Sequence, residues 1–172
     1  SDDASEDPVV DASEVLVRKL RSKQLSSREA REVLREQGVP ADLRDDIVAD
    51  FERRGYLDDA SLAELLVTSG SQRKGQGRVA IARTLNQRGI PREIGDEALA
   101  VLADDDAERA LDYARTKGSS LRRYDEDTAV RRLVGQLSRR GYGGSIALTA
   151  ARTAWRETQR GGGVGRVRFE ET

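Results

Sequence analysis

Arg73-Lys74-Gly75-Gln76-Gly77-Arg78-Val79-Ala80-Ile81-Ala82-Arg83-Thr84-Leu85-Asn86-Gln87-Arg88-Gly89-Ile90-Pro91 is the stretch from which the fold can be read. Ile81 and Leu85 stand four apart, which puts them on one face of a helix. Gly89 supplies a left-handed stop, and Pro91 suits the first turn of the next helix. The stretch therefore reads as a basic helical hairpin. No acid interrupts the chain between Glu64 and Glu93, while Arg73, Lys74, Arg78, Arg83, Arg88 and Arg92 fall inside.

Two more copies flank it. Gly38, Gly89 and Gly141 are 51 and 52 residues apart. Four residues before them stand Leu34, Leu85 and Leu137; eight before stand Ala30, Ile81 and Leu133. One after stand Val39, Ile90 and Tyr142; nine after stand Ile47, Ala98 and Ala150. One more helix precedes each copy, at about residues 13–22, 58–68 and 104–116. The expected fold is all-α: three tandem three-helix repeats of period about 51, at 13–55, 56–103 and 104–158, stacked into an elongated, curved array. Residues 1–12 read as a disordered acidic tail and 159–172 as a flexible, Gly-rich one.

Composition agrees with thin helical layers. Hydrophobic residues make up 37% and charged residues 35%, against a usual ~45–50% and ~25%. The chain has no Cys and no His. That removes disulfides, thiolate nucleophiles, Ser-His-Asp triads and ordinary zinc sites. No apolar run approaches the roughly 18 residues of a membrane span, and no secretory signal is visible. The expectation is a cytoplasmic protein, a monomer, without cofactor or metal, and not an enzyme.

Gly75-Gln76-Gly77-Arg78-Val79-Ala80 matches G-x-G-x-x-A, but no strand precedes it, so a dinucleotide site is rejected. Asp104-Asp105-Asp106 is better explained as an acidic helix start than as a cation site.

What remains is charge. The net charge is −1, yet acids and bases alternate in blocks: residues 93–112 carry eight acids and one base, and residues 128–168 nine bases and one acid. Solvated faces that pair with each other are one reading. A polyanion-facing basic ridge is the other. The candidate contact residues are Arg73, Lys74, Arg78, Arg83, Arg88, Arg131, Arg132, Arg139 and Arg140, since guanidinium groups suit planar contacts to phosphate or carboxylate.

Arg54-Gly55-Tyr56-Leu57-Asp58-Asp59, Leu62-Ala63, Arg73-Lys74-Gly75-Gln76-Gly77, Ile81, Leu85, Gly89-Ile90 and Arg139-Arg140-Gly141-Tyr142 together resemble the RecX family, bacterial regulators of the RecA recombinase. The resemblance covers about residues 13–158. It departs from the family's usual residues at Leu62, Leu66, Gly70 and Arg78. It implies a negative modulator lying in the groove of the RecA–DNA filament, inhibiting ATP hydrolysis and strand exchange and promoting disassembly. The implied partners are the RecA filament and single-stranded DNA, met directly or through the filament, with no membrane. The alternative is a direct DNA-binding protein using hairpin 26–54 or 74–102 as a helix-turn-helix. Against it, the second helices are acid-rich: Asp42, Asp45, Asp46 and Asp50; Glu93, Asp96 and Glu97.

Overall fold

The computed structural model describes the backbone of residues 8–170 and the side chains of residues 8–161. Nine α-helices are found there, with no strand among the described residues: α1 Pro8–Ser22, α2 Ser27–Glu36, α3 Ala41–Arg53, α4 Asp59–Thr68, α5 Arg78–Gln87, α6 Arg92–Ala100, α7 Asp106–Gly118, α8 Glu126–Arg139 and α9 Gly144–Glu170. A π turn, Ser69–Arg73, follows α4, and a 3₁₀ turn, Ser119–Leu121, follows α7.

The repeating glycine is a helix-stop device. Gly38, Gly89 and Gly141 have φ of 80°, 80° and 91°. In each case the next amide reaches back to the leucine four residues before the glycine. Val39 N–H donates to the Leu34 carbonyl at 3.1 Å, Ile90 to Leu85 at 3.0 Å and Tyr142 to Leu137 at 3.1 Å. This is the Schellman pattern, and its apolar partner residues are the ones the repeat keeps. Gly55, with φ 77°, ends α3 the same way, Tyr56 N–H donating to the Phe51 carbonyl at 2.9 Å. Helix starts are equally local. Ser26 and Glu29 form a capping box on α2, Asp58 accepts the Ser61 amide at 3.1 Å, and Asp125 accepts the Thr128 amide at 2.8 Å.

The nine helices gather into two compact units. Among the described residues, unit 1 holds 8–67 together with Arg83–Val101, and unit 2 holds Thr68–Ala82 together with 102–170. The unit 1 core includes Ala12, Leu16, Ala30, Leu34, Val48 and Phe51. The unit 2 core includes Ala114, Leu121, Leu133, Leu137, Tyr142, Ala151 and Trp155. Alanine is frequent in the second core because α7 and α8 both pack against α9, and small side chains let helix backbones approach.

Several expectations need correction. The N-terminal tail does not extend to residue 12: helix α1 begins at Pro8 and Ala12 is buried beside Leu16. Proline suits the first helical position, and Ala12 lies one turn before Leu16 on the buried face. Residues 1–7 lie outside the described residues. At the other end, α9 continues as helix through Gly161–Gly165 to Glu170. Glycine costs about 1 kcal/mol per position against alanine but keeps its amide donor, so a helix already nucleated can propagate through it. Val101 is 83% exposed because α6 ends at Ala100. Leu65 on α4 is 56% exposed, with Leu62, Ala63 and Val67 forming the buried side.

Candidate functional site

The nine basic candidates separate once their side chains are seen. Arg88 is part of the scaffold. Its guanidinium grips the Glu29 carboxylate through two nitrogens, with contacts of 3.1 to 3.2 Å, and donates to the Gln24 carbonyl at 2.7 Å. Both side chains are largely covered, at 20% and 25% exposure. Burial pushes the Glu29 carboxyl up, but the Arg88 hydrogen bonds, the Ser26 amide and the Arg88 charge outweigh it and hold the group below the usual range. Beside this pair, Arg28 donates to the carbonyls of Asn86 and Gln87 at 3.3 and 3.1 Å, so α2 and the end of α5 are clamped together within unit 1.

Arg88→Ala would leave Glu29 half-buried without its partner. A loss of about 2 kcal/mol in unfolding free energy at neutral pH is expected. Because the folded carboxyl of Glu29 is depressed, its stabilising contribution is present above its unfolded value and disappears as pH falls through the folded value. Urea titration at pH 7 and pH 3 should therefore show a gap between wild type and variant that narrows in acid. A gap of the same size at both pH values would show that Glu29 is not the linked group.

Arg78 is also built in. Its backbone amide donates to the Asp106 carboxylate at 3.0 Å, and its guanidinium to the Leu102 carbonyl at 2.7 Å. Asp106, only 4% exposed, therefore caps the start of α5 from a distant part of the chain. The acidic triplet is not simply the opening of α7, whose N-cap residue Asp105 makes no side-chain cap bond. A proline at position 78 would have no amide for Asp106. Arg109, the lone base in its acidic block, completes the arrangement. It lies 3.5 Å from Asp106 and donates to the Ser71 and Gln76 carbonyls at 2.8 and 2.9 Å.

The loop after the π turn is thus held by α7 and by the turn between α8 and α9. The Gly77 amide donates to the Arg140 carbonyl at 2.9 Å and the Val79 amide to the Gly141 carbonyl at 3.1 Å. The Tyr142 hydroxyl donates to the Gly75 carbonyl at 3.0 Å, and burial pushes that phenol up, keeping its proton in place. Glycines 75 and 77 therefore serve backbone packing: a Cβ on Gly77 would lie 2.6 Å from the Gly141 oxygen. Gly70, a departure from the family pattern, is buried with Ile81 Cγ1 2.8 Å from where its Cβ would be.

Six of the remaining candidates belong to unit 2: Arg73, Lys74, Arg131, Arg132, Arg139 and Arg140. All but Arg140 are exposed, and Arg140 is half-buried. Docking of the loop brings Arg73 and Lys74 toward the end of α8, the Arg140 guanidinium lying 3.5 Å from the Lys74 carbonyl. None of the four arginines on α8 and at its C-cap, Arg131, Arg132, Arg139 and Arg140, has a carboxylate within 4 Å among the described residues, whereas Arg109 and Arg115 of the same unit do. Two tyrosines take that place. The Arg140 guanidinium lies 4.1 Å from the Tyr113 ring centroid, and that of Arg132 4.4 Å from the Tyr124 ring centroid. Arg83 is exposed on the part of α5 that belongs to unit 1.

No sequence pattern announced the roles of Asp106, Arg109, Tyr113 and Tyr124. Only the isolation of Arg109 among acids was a signal, since a lone base there has carboxylates within reach. No helix among the described residues is long and apolar enough to cross a membrane.

Comparison with known proteins agrees with this architecture. A family model described as RecX, second three-helix domain, matches residues 58–99. The Regulatory protein RecX of Streptomyces coelicolor is 32% identical over 152 residues, covering 88% of this chain and 81% of that protein. The Regulatory protein RecX of Amycolatopsis mediterranei is 32% identical, covering 77% and 76%. The crystal structure of RecX from Lactobacillus salivarius superposes with a TM-score of 0.75 at 17% identity, over 86% of this chain and 96% of that one, a likeness of fold. With three-helix repeats, Gly-Ile and Gly-Tyr helix stops and relatives matched over most of their length, the chain belongs to the RecX family of regulatory proteins.

Proposed function

We propose that this protein is a negative modulator of RecA that binds the groove of the RecA–DNA filament, inhibits ATP hydrolysis and strand exchange, and promotes disassembly. Membership of a regulatory family supports the class of role. The observation that carries the contact surface is the set of arginines on α8 and at its C-cap that have no carboxylate partner among the described residues, joined by Arg73 and Lys74 beside the docked loop. A filament groove offers DNA phosphate and acidic protein surface, and both suit such arginines. Arg78 and Arg88 are spent inside the fold, so the contact falls to Arg73, Lys74, Arg83, Arg131, Arg132, Arg139 and Arg140. The protein acts as a cytoplasmic monomer, without catalysis of its own.

The test is RecA ATPase on single-stranded DNA titrated with this protein. Inhibition well below one copy per RecA supports action on filament ends or at long range. Inhibition only near equal amounts supports groove coating. Full ATPase activity at excess protein would reject the reading. The helix-turn-helix alternative gains nothing from the geometry: Asp42, Asp45 and Asp46 on α3, and Glu93, Asp96 and Glu97 on α6, are exposed, and a helix entering a DNA groove would set them against phosphate.

A further inference from the structure

Unit 2 holds its arginines in two ways. Arg109 and Arg115 rest on carboxylates, Arg115 making contacts of 2.8 and 2.9 Å to Glu157. A carboxylate fixes a guanidinium but cancels its charge and occupies its donors. Arg132 and Arg140 lie instead against tyrosine rings, at 4.4 and 4.1 Å from the centroids. Each ring carries a second cation: Arg123 at 5.0 Å on Tyr124 and Lys117 at 5.7 Å on Tyr113. A ring face restrains a guanidinium while leaving its charge intact and its edge N–H groups uncovered; in Arg140 one edge nitrogen meets the Lys74 carbonyl at 3.5 Å and the other donors stay available to an outside acceptor.

The placement is orderly. Arg132 and Arg139 are seven apart on α8 and share a stripe. Arg132 and Arg140 stand about 12 Å apart along the helix axis. From Thr128 to Arg156 the chain contains no acid. A ridge of this kind, with donors recurring along one face of the helix, fits a ligand whose charges recur along a strand.

We infer that Tyr113 and Tyr124 are positioning residues that hold Arg140 and Arg132 ready for the phosphodiester backbone of single-stranded nucleic acid. The inference rests on the reading of the α8 surface as the polyanion-facing one, and it adds how that surface is made ready. The bases are not read; the rings are covered by cations, and contact is to phosphate.

The experiment uses the full chain, a labelled oligothymidylate and no RecA, with anisotropy measured across a salt series. The Tyr113→Leu/Tyr124→Leu variant is expected to bind about tenfold more weakly at low salt, from the loss of two ring–guanidinium contacts. Its slope of log affinity against log salt should fall, by at most about 0.7 per arginine freed. Tyr113→Phe/Tyr124→Phe keeps both ring faces and should bind within about twofold of wild type. Wild-type binding and slope in the leucine variant, or equal weakening in the phenylalanine variant, would overturn the assignment. If circular dichroism shows the leucine variant unfolded, Arg132→Lys/Arg140→Lys keeps the charge and removes the planar group; undiminished binding there would overturn it equally. A wild-type chain that inhibits RecA yet shows no affinity for the oligonucleotide would overturn the phosphate partner while leaving the filament reading standing.

Discussion

Gly141→Ala is expected to destabilise the fold by about 3–5 kcal/mol, enough to leave much of unit 2 unfolded at moderate temperature. Two costs combine. The residue has φ +91°, where an alanine pays about 1–2 kcal/mol. Its Cβ would also overlap the Cβ and backbone nitrogen of Ala80, and lie 2.8 Å from the Ala80 Cα. Those are backbone-anchored atoms, so relief requires α5 to retreat, and overpacking of this kind costs about 1–3 kcal/mol. Retreat would also break the Val79-to-Gly141 and Gly77-to-Arg140 hydrogen bonds. Gly143 is the control: a Cβ there would meet nothing within 4 Å, and Gly143→Ala should stay within about 1 kcal/mol of wild type. Urea unfolding followed by far-ultraviolet circular dichroism reads both. A Gly141→Ala chain as stable as the Gly143→Ala control would refute the close approach of these two segments.

Reversing four charges, Arg131→Glu, Arg132→Glu, Arg139→Glu and Arg140→Glu together, is expected to reduce inhibition of RecA ATPase on the order of a hundredfold while the protein stays helical. None of the four has a carboxylate partner within 4 Å among the described residues, so reversal breaks no ion pair found there. Toward DNA phosphate or acidic protein the same change replaces attraction with repulsion. The comparison variant is Arg115→Glu, which breaks an internal pair with Glu157; it should cost some stability and little inhibition. Undiminished inhibition by the folded quadruple variant would remove α8 from the contact surface.

Much of the architecture was legible before any tertiary contact was known. The Gly-centred repeat predicted three helix stops, and all three close as Schellman turns with the leucine partners aligned beforehand. Helix starts are as local: Ser26, Asp58 and Asp125 each accept the amide three residues on. Caps and stops were readable because each is complete within about six residues, so the local sequence carries the whole hydrogen-bond pattern. The start of α1 at Pro8 and the run of α9 through five residues of glycine-rich sequence are not legible in composition, because a helix nucleated by neighbouring turns propagates through residues of low propensity.

By itself, then, the sequence determined the helical class, the threefold repeat, the family and the presence of a basic segment. Tertiary structure alone decided which bases are available. Arg88 is drawn to a carboxylate 59 residues away, and the Arg78 amide to one 28 residues away. Arg140 settles on the ring of Tyr113 and avoids neutralisation. Periodicity counts charges along a helix face, but a charge is spent or spared by whatever the fold brings within a few ångströms, since electrostatic pairing depends on separation in space and on burial.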